Sequence, residues 1–306
     1  MSLIRSLSGG RTRTVSGSRP APEEEYQVIP LRHPLKWVGS LIVLVLLAML
    51  VHGLFTNSLF QWGLVWQYLF NNRILGGLVS TLALTAIAMV VGIVLGTVLA
   101  IMRSAGSGLL SAIAAAYIWF FRGTPVLVQL IFWYNFAALY KHISVGVPFG
   151  PALISGNVNQ LINPWTAAIL GLGLNQAAYT AEIIRGGILA VGRGQREAGL
   201  AIGMHAGQVF WHITLPQAMK VVIPPVGNEV ISMLKGTSLV SVIALTELLY
   251  TAQLIYSENY QTIPLLIVVS LWYLAATSVL SIAQHFIERR FSRELRLDRG
   301  TAGMPR

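Results

Sequence analysis

The chain has no cysteine and few charges. Its 306 residues include 21 Lys and Arg and 11 Asp and Glu, so charged residues make up 10%, against roughly 25% in an average soluble domain. Without cysteine, no disulfide or thiol chemistry is open to it, and the redox compartment goes unread. There is no G-x4-G-K-[ST] run to cradle nucleotide phosphates. The six histidines, His33, His52, His142, His205, His212 and His285, are scattered, and no His, Asp and Glu spacing reads as a metal site. No Ser/His/acid constellation stands on a soluble platform, and no internal repeat of fixed period is visible. An enzyme with its own catalytic residues, cofactor or metal is therefore not expected. Energy for any work the chain does has to come from a partner or an ion gradient.

What is present is apolar sequence. Hydrophobic residues make up 55% of the chain, and mean hydropathy is +0.66. Six segments, 37–55, 76–102, 109–140, 164–191, 224–254 and 263–287, are long enough for helices that cross a hydrocarbon core, which takes about 20 residues. The second carries no charge from Gly76 to Met102, and the sixth none from Tyr260 to Ile287. The alternating ten-residue segments of a membrane barrel are absent. The expected fold is an all-α membrane protein of six transmembrane helices. Trp62, Trp66, Tyr68, Trp133, Tyr134, Trp165 and Tyr256 fall near span ends, where an aromatic belt accounts for them.

A net charge of +10 raises the question of nucleic acid, and its placement answers no. The first tail carries Arg5, Arg11, Arg13, Arg19, Arg32 and Lys36; the last carries Arg289, Arg290, Arg293, Arg296, Arg299 and Arg306. Arg103, Arg193, Arg196 and Lys220 fall in loops on that same side, and only Arg73 and Lys141 on the other. This asymmetry follows the positive-inside rule with both ends cytoplasmic, plus some affinity for anionic lipid. Residues 1–36, rich in Ser, Gly, Arg and Pro, read as a disordered basic tail. No small-residue cleavage site follows the first apolar run, so 37–55 reads as a retained helix. Residues 291–306 read as a second cytoplasmic tail.

Between the fourth and fifth segments lies a polar loop, 192–223, whose centre is EAGLAIGMHAGQVFWHITLP, Glu197 to Pro216. Ala198, Ala201 and Ile202 share one face of a short helix. Gly203 permits a close approach or a bend. Val209, Phe210 and Ile213 form a second apolar face, which Pro216 is expected to end or kink. Glu197 is expected in the first turn of its helix, where a negative charge suits the dipole. A loop lying on lipid would carry Lys and Arg on its polar face, and between Glu197 and Pro216 there is none.

The spacing of Glu197, Ala198, Gly199, Gly203, Ile213, Leu215 and Pro216 resembles the EAA loop of binding-protein-dependent ABC importer permeases, E-A-A-x3-G-x9-I-x-L-P. Only Gly199 departs from it, standing for Ala and expected to loosen its helix by about 0.5–1 kcal/mol. Phe121-Arg122-Gly123-Thr124-Pro125, the run Gln176 to Gly187, and Gly227-Asn228-Glu229 followed by Leu234 to Leu239 are similar to signatures of the polar-amino-acid branch, of the histidine, glutamine and arginine type. That branch often has Asp where this chain has Gly236. The resemblance covers 76–290, a five-helix type I permease core, and makes 37–55 an added N-terminal helix. It implies a permease subunit of an ATP-driven importer for polar amino acids in the bacterial inner membrane. The loop would be the coupling helix seated in a cytoplasmic ATPase subunit, which binds the ATP. A second permease chain, identical or related, and an extracytoplasmic solute-binding protein would complete the assembly.

Polar groups within the segments need their own account, since a charge at the centre of the bilayer costs roughly 2.5–3.5 kcal/mol on insertion scales. Glu182 and Arg185 are three apart and suited to pair. Arg122 precedes Gly123 and Pro125, where the helix has to bend or break, and is expected to cap freed carbonyls. Asn175, Gln176 and Tyr179 on the fourth segment, with Lys235, Ser238 and Glu247 on the fifth, are candidates for a translocation cavity. Inter-helix hydrogen bonding is the plainer account of the first three. Two further readings stand beside the importer. A gradient-driven transporter predicts inverted repeats and leaves the loop without a task, and a non-transporting scaffold leaves the intramembrane polar groups without one.

Overall fold

The computed structural model describes residues 34–104, 108–146 and 152–301. The expected N-terminal tail, 1–36, lies outside the described residues up to position 33, and 302–306 lie outside them at the other end. Helix α1 (Pro34–Thr56) belongs to a unit of its own, Met1–Asn57. Its apolar stretch, Trp37–Thr56, has a mean hydropathy of 2.5 and buries nothing within the protein.

The second unit, Ser58–Arg306, begins with α2 (Trp62–Leu69), α3 (Asn72–Ser104), α4 (Gly108–Gly123) and α5 (Val126–Tyr134). An antiparallel hairpin of β1 (His142–Gly146) and β2 (Ala152–Asn157) pairs His142 with Asn157 and Gly146 with Ala152. Then come α6 (Val158–Leu161), α7 (Pro164–Ala190), α8 (Arg193–Ala201), α9 (Ala206–Val209), α10 (Leu215–Gly236), α11 (Leu248–Asn259) and α12 (Thr262–Thr301). The backbone of the expected C-terminal tail thus continues α12 as helix through Thr301.

Helices α3 and α7 form the spine of the bundle. In lipid no hydrophobic force draws helices together, so close backbone approach through small residues does that work. A Cβ on Gly92 would lie 2.5 Å from Gln176 Cγ, and one on Gly96 2.7 Å from Thr180 Cβ. Leu84, Ala88, Leu130, Ala168, Leu172, Val240 and Ile243 are buried around this contact. A second cluster, with Val65, Ile74, Leu248, Leu265 and Val268, joins α2, α3, α11 and α12.

Two expected spans are broken. The segment read as 109–140 is α4 and α5, meeting at 100° across Gly123, Thr124 and Pro125. Proline supplies no N–H and disfavours helix in the residue before it, and Pro125 sits extended at φ −64°, ψ 134°. The segment read as 224–254 starts earlier, at Leu215, and passes through a 3-10 stretch, Thr237–Ile243, into α11 with a 45° bend. Ala244, at φ 57°, makes that break. Among the described residues, three helices are therefore long and apolar enough to cross a membrane, or up to five if each bent pair is one span. The fourth segment is a continuous helix, α7, of 27 residues. It carries Asn175, Gln176, Glu182 and Arg185 and does not reach the apolarity of the others.

Candidate functional site

The loop between α7 and α10 is a closed hairpin of short helices. Val191 is extended and ends α7, and Gly192 starts α8. Glu197 therefore falls in the second turn of α8, not the first, because that helix already begins at Arg193. After α8 the chain turns at Gly203, with φ +87°. Gly203 N–H donates to the Leu200 carbonyl at 3.0 Å and Met204 N–H to that of Gly199 at 3.1 Å. That pair closes the helix in the left-handed way glycine allows. His205 and Gln208 then exchange side-chain and backbone hydrogen bonds and start α9.

Pro216 neither ends nor kinks the helix that carries it. The backbone runs from α9 through a wide π turn, Phe210–Thr214, directly into α10, where Pro216 is in the first turn. The Leu215 N–H reaches back to Phe210, and the Gln217 side chain donates to the Ile213 carbonyl at 3.0 Å. The extra residue in the turn spaces the ladder so that the missing proline donor does not break it.

Burial divides the loop into an inside and an outside. Gly199, Val209 and Thr214 are buried and Ile213 partly so. A Cβ on Gly199 would lie 2.8 Å from Ile213 Cδ1 and 3.0 Å from Val209 Cγ2. The departure from alanine at this position is therefore a packing requirement of the hairpin, where the sequence alone pointed to a loosened helix. Glu197, Ala198 and Ala201 are exposed, as are Leu200 (52%), Ile202 (78%) and Trp211 (66%).

The candidate cavity residues separate into different places. Asn175, with Gln129, secures the break between α4 and α5. The Asn175 Nδ2 donates to the Phe121 carbonyl at 2.8 Å and to Gln129 Oε1 at 3.3 Å. Gln129 Nε2 donates to the Phe121 and Thr124 carbonyls and to Thr124 Oγ1. These amides, not Arg122, satisfy the carbonyls freed by Pro125. Arg122 instead sits over the Tyr179 ring, 5.2 Å from its centroid. Gln176 is buried and donates to Glu229 Oε2 at 3.1 Å and Thr180 Oγ1 at 3.3 Å, tying α7 to α10. Lys235 is exposed at the end of α10, and the Ser238 hydroxyl donates to the Lys235 carbonyl at 2.7 Å.

Glu247 stands apart and is fully buried. Its carboxylate accepts from the N–H groups of Leu249 at 2.9 Å and Tyr250 at 2.7 Å, capping α11. It also accepts from Tyr273 of α12 at 3.1 Å and Thr81 of α3 at 3.4 Å. Thr81 in turn accepts from Leu248 N–H at 3.1 Å. Its partner groups are thus on α3, α11 and α12. Glu182 and Arg185 pair as expected, at 2.7 Å. Sequence reading passed over Thr81, Gln129 and Tyr273. Their signal was a hydrogen-bonding side chain in an otherwise apolar run, which does not say what it meets.

Comparison with known proteins gives consistent findings. A family model described as "Binding-protein-dependent transport system inner membrane component" matches residues 92–293. The arginine transport system permease protein ArgU of Corynebacterium glutamicum is 41% identical over 278 residues, 90% of this chain and 86% of that protein. The glutamine transport system permease protein GlnP of Escherichia coli is 32% identical over 231 residues, 76% of this chain and 97% of that one. A solved amino acid ABC transporter with histidines is 34% identical, with a TM-score of 0.62, covering 71% of this chain and 94% of its own.

Proposed function

The chain belongs to the binding-protein-dependent transport system inner membrane component family, and on that premise we propose that it is the permease subunit of an ATP-driven ABC importer for polar amino acids. It resides in the bacterial inner membrane and is not an enzyme; a separate cytoplasmic ATPase subunit binds and hydrolyses the ATP. The relatives named for arginine and glutamine transport support the substrate class, and L-arginine is the substrate to test first.

The observation that carries the reading is the two-sided loop. Its inside is filled by its own Gly199, Val209 and Ile213. Its outside presents Glu197, Ala198, Leu200, Ile202 and Trp211 to solvent, with no Lys or Arg between Glu197 and Pro216 to favour lipid. An exposed helix of this kind suits a groove on another protein. We assign that groove to the ATPase, with Gly203 setting the angle between α8 and α9, and Leu215 and Pro216 carrying the loop into α10.

In the assembly we envisage six spans, the α4–α5 and α10–α11 pairs each counting as one, with both termini on the ATPase side. Two permease chains line the pathway, and a solute-binding protein delivers the amino acid from outside. Closure of the ATPase pair biases the permease between two accessible states, and only differential contacts with those states move the population. Gln176, Tyr179, Lys235 and Ser238 remain the candidate pathway groups, with Asn175 and Glu247 acting on them through the frame. A gradient-driven transporter would use a buried acid at a broken helix, and Glu247 is such an acid. Its donors all come from this chain and leave it no open face for an ion.

The test is detergent co-purification of the chain with its co-expressed P-loop ATPase, wild type against Glu197→Lys. The wild type is expected to retain the ATPase and the variant to lose it while inserting normally. Equal retention by both would remove the loop from the interface.

A further inference from the structure

Beneath the hairpin lies a cavity to which this function assigns no ligand, although Leu200, placed above on the docking face, is among its lining residues. It has a volume of about 490 Å³ and is lined by Arg103 at the end of α3, Arg185 near the end of α7 and Arg196 on α8. Ile188, Val209 and Phe210 form its apolar wall. One carboxylate answers these guanidinium groups. Glu182 is gripped by Arg185 through contacts of 2.7, 3.1 and 3.2 Å. Arg103 is steadied by a neutral partner, the Ser111 hydroxyl, at 2.8 Å. Arg196 is exposed and has no hydrogen bond or ion pair among the described residues. Three guanidinium groups therefore share the one nearby carboxylate, Glu182, which leaves an excess of positive charge at the cavity. These guanidinium groups are hydrated rather than buried, and together they concentrate positive potential at the cavity, which favours an anion there.

A second cavity adjoins the first across its apolar wall. An apolar groove of about 660 Å³ runs between α3, α7, α10 and α12, and it shares Ile188 and Phe210 with the basic cavity. Ile93, Ile101, Met219 and Leu280 line it. A cationic chamber at helix ends, beside an apolar groove along the same helices, matches one kind of molecule: an anionic head on hydrocarbon tails. Guanidinium groups suit phosphate because their planar N–H pairs meet two oxygens at once. Basic pockets between transmembrane helices on the cytoplasmic side suit anionic head groups for the same reason.

We propose that this pair of cavities binds one anionic phospholipid, with its phosphate among Arg103, Arg185 and Arg196 and its acyl chains in the groove. A free anion would use the chamber but not the groove. A zwitterionic lipid would fill the groove but bring its own cation into the chamber. The bound lipid bridges α8 to α3 and α7, so the seat of the loop depends on the leaflet around it. The inference requires only that these helices cross a bilayer, and it stands or falls independently of the ATPase.

The experiment uses the full chain, purified in detergent and stripped of lipid, observed by native mass spectrometry. It is titrated with phosphatidylglycerol, with phosphatidylcholine, and with phosphatidylglycerol in the presence of inorganic phosphate. One phosphatidylglycerol is expected to bind in preference to phosphatidylcholine. An arginine facing an anionic lipid contributes roughly a five-fold preference. The double variant Arg103→Gln/Arg196→Gln should therefore weaken phosphatidylglycerol about 25-fold, and Arg103→Lys/Arg196→Lys should recover much of the loss. Recovery by the charge-preserving pair separates loss of an anion site from loss of fold. Equal binding of both lipids, or no effect of the glutamine pair, overturns the proposal. Displacement of phosphatidylglycerol by millimolar inorganic phosphate assigns the chamber to a free anion and overturns the lipid.

Discussion

Replacing Glu247 with alanine tests whether this buried acid is a frame element or a pathway group. Four donors converge on its carboxylate, from Leu249, Tyr250, Tyr273 and Thr81. The two hydroxyls can rotate toward other acceptors, but the two backbone N–H groups are fixed at the start of α11. Each fixed, buried donor left without a partner costs roughly 1–3 kcal/mol, so Glu247→Ala should cost about 2–6 kcal/mol. Glu247→Gln keeps one carbonyl oxygen for the cap and turns an NH2 toward donors that need an acceptor, so it should cost less, about 1–3 kcal/mol. The assay is thermal unfolding of the detergent-purified chain, followed by amino acid uptake in proteoliposomes containing the whole importer. The alanine variant should unfold at least about 5 °C below the wild type, with glutamine between them. In whichever variant still assembles, KM for the amino acid should match the wild type. An alanine variant of unchanged thermal stability whose KM rises several-fold would refute the capping argument and return Glu247 to the substrate path.

Three other expectations follow from the same geometry. Gly199→Ala gains about 0.5–1 kcal/mol in helix propensity but presses on Ile213 and Val209, an overpacking cost of about 1–3 kcal/mol; thermal unfolding should show it destabilised alone and rescued by Ile213→Val, a coupling of about 1 kcal/mol. Gly203→Val forces a β-branched side chain to φ +87°, a strain of about 1–3 kcal/mol, and should reduce ATPase co-purification while membrane insertion stays normal. Asn175→Leu leaves Gln129 Oε1 without its donor at about 1–3 kcal/mol and should speed protease cleavage near Thr124; cleavage at the wild-type rate would show that Gln129 holds the break alone.

The sequence was most legible where one physical demand dominates. A run from Gly76 to Met102 without charge has little choice but helix in lipid, and α3 forms there. Pro125 after Gly123 announced a bend, and the 100° break is there. The loop pattern placed Gly203 at a turn, and its positive φ agrees. What sequence did not show was who answers whom across helices. Asn175 and Phe121 are far apart in the chain and meet only because α7 lies on the α4–α5 break. Glu247 read as a costly charge needing a partner on another helix or a wet cavity; Tyr273 and Thr81 are such partners, but nothing in its neighbours tells that Ala244 would end the helix and free the N–H groups of α11 for it. Pro216 read as a stop because a proline rule considers one helix register, and a π turn supplies another.

The joint at Pro216 has a mechanical meaning. From Ala206 to Gly236 the backbone is one unbroken rod, roughly 45 Å long at 1.5 Å per residue. Pro216, Pro224 and Pro225 each remove a rung from its ladder. Such a rod resists compression along its axis, because the helical stack remains, yet flexes sideways where rungs are missing. In the proposed assembly, a thrust delivered to the hairpin would travel along the axis, while sideways motion would be taken up at the prolines before the Gln176–Glu229 contact. On that proposal the helix would serve as a push-rod with compliant joints at Pro216, Pro224 and Pro225.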